Sequence, residues 1–400
     1  MTVVVVGAGV AGAAAALAAS RAGARVTVVD GGTGASALWT GAVDEVDVDT
    51  AAETSAIATE LGVVLGLTTL MTTGAHARTA AGREASLLDV QPPARGASNV
   101  GVVRCARPGW SAVAVERAAG AGFFALDAVV LRHVDERALS DAEFAGRHDD
   151  DARLGWLAER LREGIARSGH MPTALLLPPS LGATRSRAGD LSRLVGVPCG
   201  EAMGLPGGPC GLRFEAARDD AFSREGVTVI RGRVRSVSRE GALWRVEVDG
   251  QSMVASAVVM AAGGLLGGGL EYQPSEALEA AALPPRATPP FACTISGPLP
   301  VGAHGRPLEL PGSLFGVPPE DLAWPLARDP LMERAGVLCD DDGRIERGLY
   351  AAGEIAADLP RTWLHALSTG RRAGAAAARD TVTSAGERPS SSAGAPASRP

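Results

Sequence analysis

Val3-Val4-Val5-Val6-Gly7-Ala8-Gly9-Val10-Ala11-Gly12 is the stretch that decides the fold. Four β-branched residues running straight into glycine read as a short strand buried on both faces. Ala13 to Ala22 then has strong helix propensity, and Gly23 supplies a stop. Arg25 to Val29 reads as the next strand, which Asp30 closes ahead of Gly31. At such a strand–helix turn Gly7 allows the tight bend, Gly9 lets the backbone approach a pyrophosphate, and Gly12 lets the helix pack close on the strand. Ala8, Val10 and Ala11 complete the loop, and the helix N-terminus offers N–H groups and a positive dipole end to phosphates. Asp30 stands where an acid accepts hydrogen bonds from ribose hydroxyls, and an acid rather than an arginine there disfavours a 2′-phosphate. The bland alternative is a glycine-rich turn without a ligand. The strand before, the helix after and the acid closing the second strand favour a dinucleotide site.

The chain has 400 residues, enough for a large core and two lobes. With 46% apolar and 21% charged residues it is an ordinary globular composition. A net charge of −7 argues against a nucleic-acid partner held by a basic field. All 38 basic residues are arginine. The five cysteines (Cys105, Cys199, Cys210, Cys293 and Cys339) form no C-x-x-C pair, so no iron–sulfur cluster or metal site is expected in this chain. Their odd count and wide spacing suit reduced thiols in a cytoplasmic protein. Val3 to Ala19 is apolar enough to pass for a signal-peptide core, but it lacks a basic segment before it and is slightly short for a membrane span.

Farther along, residues 50–75 are helix-like and then apolar, Phe123 to Val134 reads as a buried strand, and Arg153 to Ser168 as an amphipathic helix. Val227–Ile230, Val234–Val237, Trp244–Val248 and Met253–Met260 form an expected β-meander, with Glu240-Gly241 and Asp249-Gly250 as turns. Residues 283–330 look like a proline-rich, irregular insertion. Thr369 to Thr383 reads as a helix, and 384–400 as a disordered tail.

The glycine pattern alone does not separate NAD from FAD. Gly348-Leu349-Tyr350-Ala351-Ala352-Gly353-Glu354, a second strand ending in a Gly–acid pair, resembles the second flavin motif of FAD-dependent oxidoreductases of the glutathione-reductase-like superfamily, where Gly353 and Glu354 would meet the ribityl chain. Ser368-Thr369-Gly370 is expected to open the last helix, whose positive end would face the flavin's N1–C2 edge. Ala257 to Gly264 resembles the strand and small-residue turn that bring Ala262 and Gly263 to the dinucleotide, with Val234 also among the contacting positions. The expected fold is α/β, a Rossmann-like FAD-binding domain with parallel sheet and β-meander. That domain is assembled from residues 1–75, 210–270 and 335–383, with 76–209 and 271–334 as an inserted substrate or partner lobe.

The resemblance sharpens to anaerobic glycerol-3-phosphate dehydrogenase, and within it to the second flavoprotein, the one that stands beside the catalytic flavoprotein. It rests on Thr33 to Asp44, on Phe124 to Leu131 with Asp141 to Phe144, on Leu176 to Gly182, and on Ala262 to Leu270. Within the first of these, Ser36, Ala37, Leu38, Trp39, Thr40 and Gly41 would contact the flavin. Trp39 fits either packing on the ring or plain core. One departure is Ala366-Leu367-Ser368-Thr369-Gly370, where that family tends to have a glycine-rich run. The resemblance implies a flavoprotein subunit beside a separate catalytic flavoprotein. It would feed electrons to a cysteine-rich iron–sulfur subunit and reach the inner membrane only through those partners. The family's flavin has been described as FMN as well as FAD; the ADP-binding pattern here argues for FAD. His365, as a proton carrier, and Arg361, as an anchor for carboxylate or phosphate, are the catalytic candidates, weighed against plain loop and helix-surface roles. His148 with Asp149, Asp150 and Asp151 reads as a solvated charge run rather than a metal site. Two other readings stay open: a standalone fumarate reductase-like dehydrogenase of a small organic acid or alcohol, and a non-catalytic flavin-binding scaffold.

Overall fold

The structure, a computed structural model, describes residues 2–44, 51–90, 99–264, 267–274, 293–296, 299, 301–303, 306–307 and 334–386. Of the expected tail 384–400, residues 384–386 continue the last helix instead; residues 387–400 and most of the proline-rich insertion lie outside the described residues. At the centre stands β1 (Thr2–Val6), in a six-stranded sheet. The order is β10 (Thr228–Arg231), β2 (Arg25–Asp30), β1, β14 (Ala257–Met260), β21 (Leu349–Ala351) and β20 (Arg344–Glu346). All neighbours pair in parallel except β20 with β21. Val3 and Val5 point into a helical layer made by α1 (Val10–Arg21), α7 (Pro209–Arg224) and the helix Trp363–Gly386. Val4 and Val6 point the other way, against the antiparallel meander β11 (Val234–Glu240), β12 (Leu243–Val248) and β13 (Gln251–Ala255). Strand side chains alternate between faces, so a strand covered on both sides is apolar at every position.

The helical layer is packed to backbone contact. A Cβ on Gly370 would stand 2.1 Å from the Ala11 carbonyl oxygen, and one on Gly374 2.1 Å from that of Ala15. The alanines of α1, Ala13 to Ala16, are fully buried, so small side chains are what let the two helices approach.

Two further sheets, apart from small pairings, lie outside the central one and the meander. One is parallel, in the order β7 (Phe123–Leu126), β6 (Val100–Val103), β8 (Ala174–Leu177), β9 (Cys199–Glu201), with helices α3 (Ala112–Ala119), α5 (Asp151–Ser168) and α6 (Ala188–Val195) among the crossovers. This is the doubly wound order 2-1-3-4, whose switch point lies between β6 and β8. The chain itself occupies that place. After β6, buried Arg107 donates to the carbonyls of Glu136 and Leu139 and pairs with Asp141 at 2.9 Å. After β8, the N–H groups of Ala183 and Thr184 donate to Asp149. The second sheet is antiparallel, β3 (Ala42–Val43), β5 (Ala77–Glu84), β4 (Val63–Met71), and α2 (Ala52–Glu60) lies between β3 and β4 in the chain. Three small pairings complete the described strands: β15 (Glu271–Pro274) with β16 (Cys293–Ser296), and β17 (Val301–Ala303) between β18 (Arg306–Pro307) and β19 (Gly336–Val337).

Several sequence expectations are corrected. Thr228–Arg231 belongs to the central sheet beside β2 rather than to the meander, because Thr228, Val229 and Ile230 pair in register with Thr27, Val28 and Val29. The run Met253–Met260 splits at Ser256, one half in the meander and the other in the central sheet. Phe123–Leu126 is a strand, but it stops well short of Val134. The expected boundary at 75/76 falls in the turn between β4 and β5, which pair along their length, so it cuts a hairpin and is not a domain edge.

Of the expected solvated run, Asp150 and Asp151 are exposed, but Asp149 is half-buried and His148 is not solvated at all. Asp150 caps α5 by accepting from Arg153 N–H at 2.7 Å, Asp149 ties the Ala183 loop, and His148 is fully buried at the end of α4 (Asp141–Arg147). The imidazole meets Phe144 edge-on at 5.1 Å and lies against the backbone of Phe144 and Ser180. Burial, with Arg153 nearby, lowers its pKa to about 4. The unfolded chain takes up this proton near pH 6.5 while the folded chain refuses it until about pH 4. The contribution is therefore complete above pH 6.5 and is lost as pH falls through that window, by roughly 3 kcal/mol in all. Urea midpoints at pH 7 and pH 4.5 should differ more in the wild type than in His148→Leu; equal differences would remove His148 as the cause.

Candidate functional site: a cavity along the dinucleotide loop

A cavity of about 780 Å³ runs along the carboxyl edge of the central sheet, within the size range of cofactor sites. Its middle is the loop Gly7–Ala11. Gly7 has φ +106°, and its Cβ would overlap the Ala261 carbonyl at 2.2 Å; a Cβ on Gly12 would stand 1.9 Å from the Gly7 carbonyl oxygen. Gly12 thus serves packing and does not line the cavity, whereas Gly7, Ala8, Gly9, Val10 and Ala11 do. Gly9 gives α1 no side-chain cap, and the first helical bond runs from Ala13 N–H to the Gly9 carbonyl. The N–H of Val10 donates to Ser36 Oγ at 3.2 Å, while those of Ala11 and Gly12 have no acceptor within the helix.

One end of the cavity is built from Asp30, Gly31, Gly232, Arg233, Val234 and Arg235. Asp30 is 4% exposed; it accepts the Gly32 N–H at 2.9 Å and pairs with Arg231 at 2.8 Å. The carboxylate is thereby fixed at the end of β2. At the other end stand Leu38, Trp39, Gly353, Glu354, Arg361, Thr362 and Trp363, with Ala262 and Gly263 on the floor. Gly353 has φ +74°, and its N–H donates to Thr369 Oγ1 at 3.0 Å. Glu354 accepts the Gly264 N–H at 3.3 Å, and Arg361 donates to the Ala335 carbonyl at 2.9 Å. The indoles of Trp39 and Trp363 stack at 5.4 Å, and Trp39 Nε1 donates to the Ala42 carbonyl at 2.7 Å. Trp39 is therefore on the cavity wall and packed on the core at once.

Not all expected residues reach the cavity. Ala37 is pressed against α7, where a Cβ on Gly211 would come within 2.2 Å of its carbonyl oxygen. Gly41 is boxed in by Cys210 and Leu87, and Thr40 lies outside the lining. Ser368, Thr369 and Gly370 do not open the last helix. It starts at Trp363, capped by Thr362, whose Oγ1 accepts the His365 N–H at 3.3 Å. Ser368 and Gly370 are buried in that helix, Gly370 against α1, and Thr369 acts through Gly353. The helix end that faces the cavity is Thr362–Trp363. His365 sits behind it, its Nδ1 3.0 Å from Thr362 Oγ1 and its pKa lowered by desolvation and by Arg372; it does not line the cavity, whereas Arg361 does. Glu215, Arg218, Arg233, Arg235 and Asp44 also line the cavity, beyond the expected set. Thr362 carries a local signal, a threonine after Pro360 and ahead of an apolar run. Glu215 and Arg218 carry only their spacing, an i,i+3 pair on one helix face.

Residues 2–60 match the FAD binding domain family. No curated protein matches the chain. Among solved structures it is similar to AlpK (14% identity, 93% of this chain and 60% of that one, TM-score 0.30). It is also similar to the peptidyl tryptophan dihydroxylase QhpG (13%, 96% and 68%, TM-score 0.32) and to a putative thioredoxin reductase TrxB from Bacillus anthracis (13%, 96% and 99%, TM-score 0.24). The chain spans about three-fifths of the length of AlpK.

The residues fit FAD. Glycines leave room where a Cβ would intrude, the first turn of α1 offers N–H donors at mid-cavity, and a fixed acid stands at one end with a second helix N-terminus at the other. The cavity extends to both sides of the phosphate loop, as a dinucleotide requires and a mononucleotide does not. The fold, the cavity and the match of residues 2–60 to the FAD binding domain family define a flavoprotein with an FAD site on this sheet.

Proposed function

We propose that this chain is an electron-relaying flavoprotein subunit, resembling the second flavoprotein of anaerobic glycerol-3-phosphate dehydrogenase, and that it works beside a catalytic flavoprotein and an iron–sulfur partner. FAD supplies two-electron and one-electron transfer when bound. The observation that carries the reading is the wall at the Trp363 end. Among the described residues it offers a glutamate, an arginine, a threonine and two indoles, with no histidine or cysteine lining the cavity. Substrate oxidation by hydride removal from an alcohol calls for a general base within reach, and electron relay does not. Glu354 accepts the Gly264 N–H through one oxygen, and Arg361 donates to the Ala335 carbonyl. The Thr362 helix end stabilises negative charge. Cys105, Cys199, Cys210 and Cys339 are free thiols, and burial raises the pKa of Cys105 and Cys199 to about 12, so these two stay protonated.

The second reading, a standalone dehydrogenase of a small organic acid, draws on Arg361 at the cavity as a carboxylate anchor. Anaerobic mixing separates the two. The relay reading expects glycerol 3-phosphate to leave the flavin of the isolated chain oxidised and to bleach it once the two partner chains are added. Fast bleaching of the isolated chain by glycerol 3-phosphate or by a small hydroxy acid would overturn it in favour of the standalone enzyme.

A further inference from the structure

Arg218 of α7 is a charged residue only 6% exposed, and it lies in the wall of the cofactor cavity although its helix is some two hundred residues from the glycine loop in sequence. Its Nη1 donates to the Ala8 carbonyl at 3.0 Å, between Gly7 and Gly9. Its Nε donates to Asp219 at 2.9 Å, and Nη2 pairs with the same carboxylate, which is 56% exposed. A guanidinium has five donors, so these contacts leave N–H groups over. A buried cation is costly unless its partners are good, and a solvent-facing neighbour on the same helix is a weak one. Glu215, one turn earlier, lines the same wall and adds negative charge near the place where two phosphates would sit. The backbone N–H groups of α1 carry only partial positive charge, so a full cation at the loop answers a need they do not meet.

Resting on the FAD reading above, we propose that Arg218 anchors the FAD pyrophosphate. It holds the glycine loop open through the Ala8 carbonyl and gives its remaining N–H groups to the phosphate oxygens as charge-assisted hydrogen bonds. The binding site is thus completed by a helix outside the glycine pattern.

The test is a fluorescence titration of flavin-free protein with FAD, with ADP and adenosine as competitors. Arg218→Met should weaken FAD and ADP by roughly 10- to 100-fold, as expected for a lost charged hydrogen bond, while adenosine competes as before. Arg218→Lys should recover part of the loss. Unchanged FAD and ADP affinity in Arg218→Met would overturn the proposal. So would an equal loss for adenosine, or a lowered urea midpoint with no recovery in Arg218→Lys, since both mark a merely structural role. Wild-type protein that binds ADP but not FAD would instead overturn the FAD reading and leave the phosphate anchor standing; wild type that binds neither would overturn both.

Discussion

Gly9→Trp is expected to abolish FAD binding while leaving the chain folded. Gly9 has ordinary extended backbone angles (φ −69°, ψ −170°), so the new side chain imposes no left-handed strain. Its Cβ would stand 3.0 Å from Ser36 Oγ, a side-chain atom that can turn away. The indole would then fill the space above the first turn of α1, where the phosphates must approach the N–H groups. Loss of a pyrophosphate site of this kind corresponds to at least a roughly 1,000-fold fall in affinity, about 4 kcal/mol. Equilibrium dialysis against FAD, with far-UV circular dichroism as the check on folding, measures it. Retained stoichiometric FAD in a folded variant would place the cofactor elsewhere.

Arg213→Met is expected to be the most destabilising single change in the chain's buried ion pairs. Arg213, on α7, donates to Glu84 at the end of β5 and to Glu201 at the end of β9, at 2.8 and 2.7 Å, and to the Gly182 carbonyl at 2.6 Å. Glu201 also accepts the N–H groups of Ser180 and Leu181. All three side chains are at most 3% exposed. Desolvation, with Glu84 beside it, raises the Glu201 pKa against the pull of Arg213, which itself stays firmly charged. The cluster joins α7 to the sheets that hold β5 and β9. Cys210 completes a group of potential metal ligands with the two glutamates, but the guanidinium already supplies the cation there. Removing it leaves two buried acids facing each other, a loss of roughly 3–5 kcal/mol. Urea unfolding should show it, and Arg213→Met combined with Glu84→Gln and Glu201→Gln should regain most of the loss. A single variant within about 1 kcal/mol of wild type, a threshold set by ordinary surface substitutions of about 0.5 kcal/mol, would mean the acids reorganise without their cation.

What can be read from residues alone follows how local each signal is. The strand Val3–Val6, the glycine loop, Asp30 and Gly353 are legible because each is determined by its neighbours: a period, a turn, a strand end. The meander is legible through Asp249-Gly250, but its reach is not, since Thr228–Arg231 looks like one more of its strands. Apolar and β-branched residues look alike in a meander and in a parallel sheet, and only pairing with β2 distinguishes them. The start of the last helix is misleading for a similar reason. Ser368-Thr369-Gly370 resembles a capped start, whereas Gly370 is there so that the helix can touch α1, and the true cap is Thr362. Arg218 and Arg213 are beyond reach for another reason. The Ala8 carbonyl lies 210 positions from Arg218 and Glu84 lies 129 from Arg213, and no local pattern marks a cation that folding will bury. The same holds for His148, whose acidic neighbours make a buried ring look like part of a charged surface.

The most direct measurement is the visible spectrum of the purified protein, followed by chromatography of the flavin that heat releases. The account predicts absorption bands of bound flavin and release of FAD, one per chain. Protein that stays colourless even after incubation with FAD, or that releases FMN alone, would contradict it.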